Sequence, residues 1–210
     1  MNQSANEFDE KAKAWDNNLD HARRAQIIAD AICTEVPITP SFTAMEYGCG
    51  TGLLSFPLRH MFAKITLVDN SSGMIDVLRE KIAHSGVTNM EFININLLDE
   101  PDSLSMKFSV IYSSMVLHHI TDVKKAFSVW HSLLEEPGYL CIADLDSDGG
   151  LFHGPEFTGH NGFNRDELKE IVEGQGFTDV KFRNVCEITK ESRDGKVHTF
   201  PLFLMACRKS

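Results

Sequence analysis

The chain has 210 residues and a formal net charge of −10, with 42% hydrophobic and 24% charged residues. This length and composition suit one substantial domain with its own core. Because an acidic chain with only short lysine and arginine pairs is a poor match for a phosphate backbone, we expect no nucleic-acid partner.

The cysteines and the apolar runs argue against a secreted, metal-binding or membrane protein. The five cysteines are scattered and show no metal-ligand spacing. No apolar run approaches the roughly 20 residues needed to cross a bilayer, and the polar start is unlike a signal peptide. We therefore expect reduced thiols, no metal centre, no membrane association and a cytoplasmic location.

Helices and strands are predicted to alternate along most of the chain. Apolar residues at helical spacing predict two leading helices over 5–15 and 21–34. The predicted strands are 42–47, 64–70, 90–95, 108–114, 138–145, 178–185 and 200–209. Two of the predicted helices between these strands begin near residues 52 and 72. Two more cover 121–134 and 165–176.

The ends of two predicted helices carry recognisable signals. Ser71 or Ser72 is placed to cap the helix that begins near residue 72, and Gly86 follows its last turn. Thr121 is placed to cap the helix over 121–134.

The strand pattern predicts the fold class. Strands at 64–68, 108–112 and 138–143 lack polar alternation, as expected where both faces of a parallel sheet are covered. The alternation of strands and helices predicts an α/β fold with a Rossmann-like, doubly wound, seven-stranded sheet and helices on both faces. Since no helical pattern separates the last two strands, we expect a mostly parallel sheet with an antiparallel C-terminal strand.

The stretch EYGCGTG, residues 46–52, is the first candidate binding motif. Gly48, Gly50 and Gly52 allow positive φ angles and let a ligand lie against bare amides, although a plain turn would need one or two glycines. Asp69 ends the next predicted strand, where an acid suits two hydrogen bonds to a ribose diol. Asp69 could instead only cap the following helix. Together the two signals favour a nucleoside ligand.

The spacing of the glycines disfavours a dinucleotide. A G-x-G-x-x-G motif would require glycine at Leu53 or at Ser55. Glu46 would also place negative charge where a pyrophosphate lies, whereas it would suit a cationic ligand.

These residues resemble the class I S-adenosylmethionine-dependent methyltransferases, specifically the small-molecule type. The family's acid followed by G-x-G-x-G appears as Glu46, Gly48, Gly50 and Gly52. Its ribose-binding acid and Ser-x-x-Met helix start appear as Asp69, Asn70, Ser71 and Met74. Residues 108–145 are similar to the family's fourth strand, the following helix and the fifth strand, so the resemblance covers about 42–145.

The resemblance implies S-adenosyl-L-methionine as the cofactor and a set of residues that bind it. This set is Trp15, Glu46, Gly48, Cys49, Gly50, Gly52, Asp69, Asn70, Met74, Asn96, Leu97 and Ser113. In the family Met74 would pack on the adenine. Asn96 stands where an aspartate usually receives the adenine amino group, and Asp99 is the alternative.

The methyl acceptor is expected on the other side of the cofactor. A general base is needed only when the acceptor has a proton to lose. The candidates are His118 and His119, after the fourth strand, and His153 and His160, in the long loop 144–163. These histidines could equally be structural or exposed, and a metal site that adds Asp146 and Asp148 has no recognised spacing.

We expect one domain over 1–210, with a helical cover (1–36), a cofactor-binding core (42–145), an acceptor loop (144–163) and a C-terminal helix and strand pair (164–210). Phe8, Ala12 and Trp15 form one stripe on the first helix, which faces either the core or the cofactor.

The sequence therefore predicts a methyltransferase that acts on a small organic acceptor, as a monomer or homodimer. A nucleotide-dependent oxidoreductase and an inactive methyltransferase-like binding protein are the alternatives.

Overall fold

The computed structural model describes residues 3–192 and 194–210. Its sheet contains β1 (Thr43–Tyr47), β2 (Lys64–Asp69), β3 (Met90–Asn94), β4 (Phe108–Ser114), β5 (Leu134–Leu145), β6 (Phe177–Glu191) and β7 (Val197–Lys209). The order across the sheet is β3-β2-β1-β4-β5-β7-β6. The first five strands run parallel, and β7 is antiparallel to both of its neighbours. The predicted seven-stranded, mostly parallel fold is confirmed.

Helices cover both faces of this sheet, as predicted. They are α1 (Gln3–Trp15), α2 (Leu19–Glu35), α3 (Ser55–Leu58), α4 (Ser72–Ser85), α5 (Val123–Leu133) and α6 (Arg165–Glu173). One face is packed by α5 and α6, through buried residues such as Phe127 and Leu168. The other face is packed by α2 and α4, through residues such as Ile28 and Leu78. Two cores on opposite faces are typical of a doubly wound sheet.

The structure confirms the predicted end signals of one helix and corrects the predicted cap of another. Ser71 caps α4 by accepting a hydrogen bond from the Met74 N–H, and Gly86 follows the helix with φ of +68°. The predicted cap at Thr121 is wrong, because Asp122 caps α5 instead and accepts from the Lys125 N–H at 2.9 Å. Its carboxylate also interacts favourably with the positive end of the helix, which a hydroxyl does less strongly.

Element boundaries differ from the sequence prediction in three places. The helix expected from residue 52 is only the single turn α3, because Gly52 adopts φ of +78° and cannot be helical. β5 begins at Leu134, directly after α5. β6 and β7 form a longer hairpin than their apolar residues suggest, because main-chain pairing continues through polar positions to Glu191 and Val197.

The topology brings several loops to one edge of the sheet. β1 lies between β2 and β4, so the strand order reverses beside the turn that follows β1. The segments after β1, β2, β4 and β5 all leave the carboxyl edge there, the usual ligand-binding edge of such sheets. Among the helices of the described residues, none is long and apolar enough to cross a membrane.

Candidate functional site

The turn after β1 depends on backbone conformations that favour glycine. Gly48, Gly50 and Gly52 have φ angles of +68°, +52° and +78°. A Cβ atom at Gly48 would lie 2.5 Å from Val116 Cγ2, and one at Gly52 would lie 2.8 Å from a side chain of α4. A Cβ atom at Gly50 would meet nothing nearer than the Met74 sulfur, at 3.8 Å. Packing therefore requires two of the glycines, whereas Gly50 borders space that a ligand can fill.

Asp69 ends β2 and is tied to this turn. Its Oδ2 accepts a hydrogen bond from the Gly50 N–H at 2.7 Å, and its Oδ1 accepts from the Ser71 N–H at 2.8 Å. Burial raises the pKa of this carboxyl above its ordinary value. Asp69 as a residue is half-buried, next to the open face of Gly50. Asp69 can therefore bond to the main chain near the α4 cap and also contact a ligand.

Three more residues of the predicted cofactor set lie around the turn. Cys49 is buried behind it, and burial raises the pKa of its thiol. Asn70 is exposed at the start of the β2–α4 connection. Met74 is buried in the first turn of α4, with its sulfur facing Gly50. Their contacts with a cofactor remain predictions.

Glu46 lies on the protein side of the turn. Glu46 is 3% exposed, and its carboxyl accepts a hydrogen bond from the Ser55 hydroxyl, which also contacts the Tyr112 hydroxyl at 2.6 Å. Desolvation raises the pKa of Glu46 to about 8. The carboxyl is thus largely neutral at neutral pH. Its role beside a cationic ligand stays a prediction, and its described contacts are with the Ser55 and Tyr112 hydroxyl groups.

The predicted adenine side is formed by the segment after β3. Asn96 Nδ2 donates to Asp99 Oδ2 at 2.6 Å, so the two alternatives for adenine recognition lie together. This bond leaves Asn96 Oδ1 as an acceptor. Leu97, the residue after Asn96, is fully buried in the core. The two predicted partners of the adenine amino group are therefore hydrogen-bonded neighbours.

The segment after β4 lies across the glycine turn. The Ser113 hydroxyl is buried and donates to the Tyr47 carbonyl at 2.7 Å, so it joins β4 to β1. Met115 adopts φ of +59°, a strained conformation for a side chain of this kind. Its N–H donates to the Ala143 carbonyl at 2.8 Å. This sharp bend directs Val116 against Gly48 and places the two following histidines at the carboxyl edge.

His118 is paired with a carboxylate that the sequence analysis did not assign to the site. His118 Nδ1 and Asp144 Oδ1 are 2.7 Å apart, and both side chains are buried. Asp144 also accepts from the His118 N–H at 3.2 Å and from the Leu145 N–H at 2.7 Å. Because a carboxylate can only accept, these bonds place the proton of a neutral His118 on Nδ1. The available signal was an acid at the end of the otherwise apolar β5.

Rings surround His118. The His119 and His153 rings lie 4.2 Å and 5.0 Å from it, and Phe157 stacks on His153 at 3.7 Å. Desolvation lowers the pKa of His119 to about 3 and that of His153 to about 4. Both are neutral at physiological pH. The cluster is therefore an aromatic surface without a net charge on these two rings.

His160 anchors the long loop rather than joining this cluster. Its N–H donates to the His118 carbonyl at 2.8 Å, and its ring Nε2 donates to the Ile120 carbonyl at 3.0 Å. A Cβ atom at Gly159 would lie only 2.2 Å from the His118 carbonyl oxygen. The loop thus passes directly over the segment after β4.

The acids of the loop have structural partners. Asp146 forms two hydrogen bonds with Arg165, at 2.7 and 2.6 Å. Asp148 accepts from the Gly150 and Phe152 N–H groups, at 2.6 and 3.1 Å. Within the described residues, no group of three or more histidines, cysteines or acids is arranged to hold a metal ion.

α1 and the residues after it lie over the glycine turn and α4. Asp9 accepts from the Ser71 hydroxyl at 2.6 Å and from a main-chain N–H in the first turn of α4 at 2.8 Å. Asp16 accepts from the Thr51 hydroxyl at 2.5 Å and pairs with Lys81 at 2.5 Å. Neither acid was singled out from the sequence. The first two residues of the predicted cover lie outside the described part of the chain.

The three residues of the predicted stripe on α1 differ in burial. Ala12 is buried, whereas Phe8 and Trp15 are half-buried. The Phe8 ring lies 5.9 Å from Trp15 and 5.4 Å from His119. α1 therefore reaches both the glycine turn and the histidine cluster.

Comparison with known proteins identifies this arrangement. Residues 38–186 match the model of a family described as methyltransferase domain. An uncharacterized methyltransferase of Schizosaccharomyces pombe is 33% identical over 116 residues, which cover 52% of this chain and 41% of that protein. The chain thus spans less than half the length of this relative.

Solved structures share the fold at low sequence identity. A SAM-dependent methyltransferase from Aquifex aeolicus has a TM-score of 0.66 at 19% identity, covering 94% of this chain and 97% of that one. Phosphoethanolamine N-methyltransferase 2 of Haemonchus contortus, solved with S-adenosyl-L-methionine, has a TM-score of 0.68 at 15% identity, covering 86% and 52%.

Replacing Gly48 should destabilise the protein more than replacing Gly50. Alanine at either position carries the left-handed strain of about 1–2 kcal/mol. Gly48→Ala adds a clash with Val116, an overpacking cost of typically about 1–3 kcal/mol. Chemical denaturation of both variants gives the difference in unfolding free energy. Equal losses would contradict the assignment of Gly48 to packing.

Glu46 should make the fold less stable as pH rises. Its folded pKa of about 8 exceeds the ordinary 4.5, so the native state holds the extra proton between these values. Its contribution is complete below about pH 4.5 and is lost by about pH 8, with a slope of at most about 1.4 kcal/mol per pH unit.

Denaturation across this pH range should show that Glu46→Gln flattens the decline, because glutamine is always neutral. The exposed Glu80, replaced by glutamine, is the control. An unchanged slope in Glu46→Gln would show that Glu46 ionises normally.

Proposed function

The chain belongs to the methyltransferase-domain family, and we propose that it transfers a methyl group from S-adenosylmethionine to a small organic acceptor. The observation that carries the proposal is the open face of Gly50, bordered by Asp69 and Met74. When bound, S-adenosylmethionine supplies an electrophilic methyl group on a sulfonium. The chain's task is then chiefly to align donor and acceptor, an effect worth up to about 7–11 kcal/mol.

The cofactor residues divide by the part of the molecule they suit. Asp69 offers carboxylate oxygens for the ribose hydroxyls, next to the bare main chain of Gly50. Met74 offers an apolar surface for the adenine, and Asn96 offers its free Oδ1 for the adenine amino group. The residues present fit the cofactor that the family implies.

The acceptor side is assigned to the histidine cluster and the loop over it. His118, His119, His153 and Phe157 bring their rings together at the carboxyl edge, beyond Val116. α1 adds Phe8 from the opposite side. An aromatic surface on which His119 and His153 are neutral, under a long loop, suits an organic molecule and the exclusion of water.

The alternative functions have less support. An oxidoreductase would need a pyrophosphate site, but Leu53 replaces the third glycine and the family match is to methyltransferases. An inactive binding protein is less favoured, because Gly48, Gly50, Gly52 and Asp69 are all present. We also propose a cytoplasmic monomer or homodimer, in keeping with five free cysteines.

Asp69→Asn should weaken the binding of S-adenosylmethionine by about 10–150-fold, since a hydrogen bond to a charged group contributes about 1.5–3 kcal/mol. Titration calorimetry measures this affinity, and NAD should give no binding heat. Asp76→Asn is the matched control, because Asp76 is exposed and pairs only with Arg79 in the described contacts. Wild-type affinity in Asp69→Asn would refute the ribose assignment.

His160→Ala should free the acceptor loop without affecting the cofactor. The substitution removes the bond to the Ile120 carbonyl, so amide hydrogen exchange at residues 149–160 should accelerate. Cofactor affinity should stay within about twofold, well under the tenfold that 1.4 kcal/mol represents. His60→Ala, at an exposed position, is the control. Weakened cofactor binding would assign the loop to the cofactor side.

A further inference from the structure

His118 and Asp144 form a buried pair whose geometry resembles that of a proton-accepting unit. Asp144 is fully buried and accepts three hydrogen bonds, one of them from the His118 ring. The bond at Nδ1 fixes the ring orientation and leaves the Nε2 lone pair free to accept a proton. No described hydrogen bond uses Nε2.

The fold places this pair beside the cofactor turn. β4 and β5 are parallel neighbours, with Ser114 opposite Ala143, so the residues after them meet at the carboxyl edge. Val116 connects the two regions, because it contacts Gly48 and stands two positions before His118. A group near His118 is therefore close to the cofactor turn and to the acceptor loop at once.

The other three histidines are unsuited to accept a proton. His119 and His153 have strongly lowered pKa values, and His160 uses Nε2 to donate to a carbonyl. Within the cluster only His118 has a buried carboxylate partner. Charged groups outside the cluster act on its other rings. Glu7 influences the pKa of His119, and Lys190 and Asp148 influence the pKa of His153.

The rings over His118 indicate the shape of the acceptor. His153 and Phe157 belong to the loop, and their rings lie 5.0 Å and 6.0 Å from the His118 ring. Phe8 approaches from α1 through His119. Flat apolar surfaces on two sides favour a flat aromatic molecule that enters when the loop moves aside.

On the basis of the proposed methyl transfer, we propose that the acceptor is a neutral aromatic hydroxyl compound, that His118 accepts its proton and that Asp144 positions His118. The hydroxyl oxygen forms a bond to the methyl carbon, and the sulfonium S–C bond breaks with its electron pair left on sulfur. The hydroxyl proton passes to His118 Nε2. A phenol needs this help more than a thiol does, because their pKa values are about 10 and about 8.5.

Two phenols test the role of His118 in the full chain with S-adenosylmethionine. Phenol itself is neutral at neutral pH, whereas pentafluorophenol is already ionised and needs no base. His118→Gln should slow methylation of phenol by about 10²–10⁴-fold, the usual contribution of a general base, and that of pentafluorophenol by less than about tenfold. Asp144→Asn should produce the same difference between the phenols, and His84→Gln, at an exposed position, should change neither rate.

Equal losses on both phenols would overturn the base role and indicate a structural pair. A wild-type protein that binds S-adenosylhomocysteine in calorimetry but methylates neither phenol would overturn the acceptor class. Failure to bind S-adenosylhomocysteine would instead refute the proposed function on which the inference rests.

Histidine-selective ¹⁵N NMR provides a readout independent of activity. In the complex with S-adenosylhomocysteine, the proton shared with Asp144 should reside on His118 Nδ1, and Nε2 should carry none, as a proton acceptor requires. Asp144→Asn should shift this tautomer. A His118 ring protonated on Nε2 in the wild-type complex would overturn the proposal.

Discussion

The absence of a side chain at Gly48 joins the two halves of the site. Val116 fills the place where a Cβ atom would lie, so the segment after β4 rests directly on the turn after β1. The strained Met115 bends the chain into this contact. One side of the contact leads to Gly50 and Asp69, and the other leads to His118. A side chain at Gly48 would separate the place for the cofactor from the place for the acceptor.

Two buried carboxyls near this contact are used in opposite ways. Glu46 accepts a hydrogen bond from the Ser55 hydroxyl and retains its proton because burial raises its pKa to about 8. Asp144 accepts three hydrogen bonds, which satisfy its oxygens and orient His118. The two carboxyls differ in their partners: Glu46 meets the Ser55 hydroxyl, whereas Asp144 meets two main-chain N–H groups and the His118 ring. Glu46 stabilises the glycine turn from the protein side, and Asp144 orients His118 at the carboxyl edge of the sheet.

The sequence predicted the sheet because local patterns determine it: apolar strands, alternating helices and a glycine turn are all contiguous. Asp69 and the glycines were found for the same reason. Asp144, Asp9 and Asp16 were missed because their partners are distant in sequence and have no fixed spacing. The burial of Glu46 was not predicted, because the side on which a residue next to a turn is buried depends on tertiary packing. The role of His160 likewise depends on a carbonyl, which sequence patterns do not reveal.

The two main-chain hydrogen bonds that close the loop after β5, which form its neck, have an evolutionary consequence. Main-chain bonds join Ser147 to Phe163 and Asp148 to Asn161, and they do not depend on which side chains the tip carries. Between these bonds, residues 151–158 can diverge while the path of the neck is maintained. Duplicated genes of this kind can therefore acquire new acceptor preferences by changing a single short segment, with the sheet and the donor-binding turn left under their original selection.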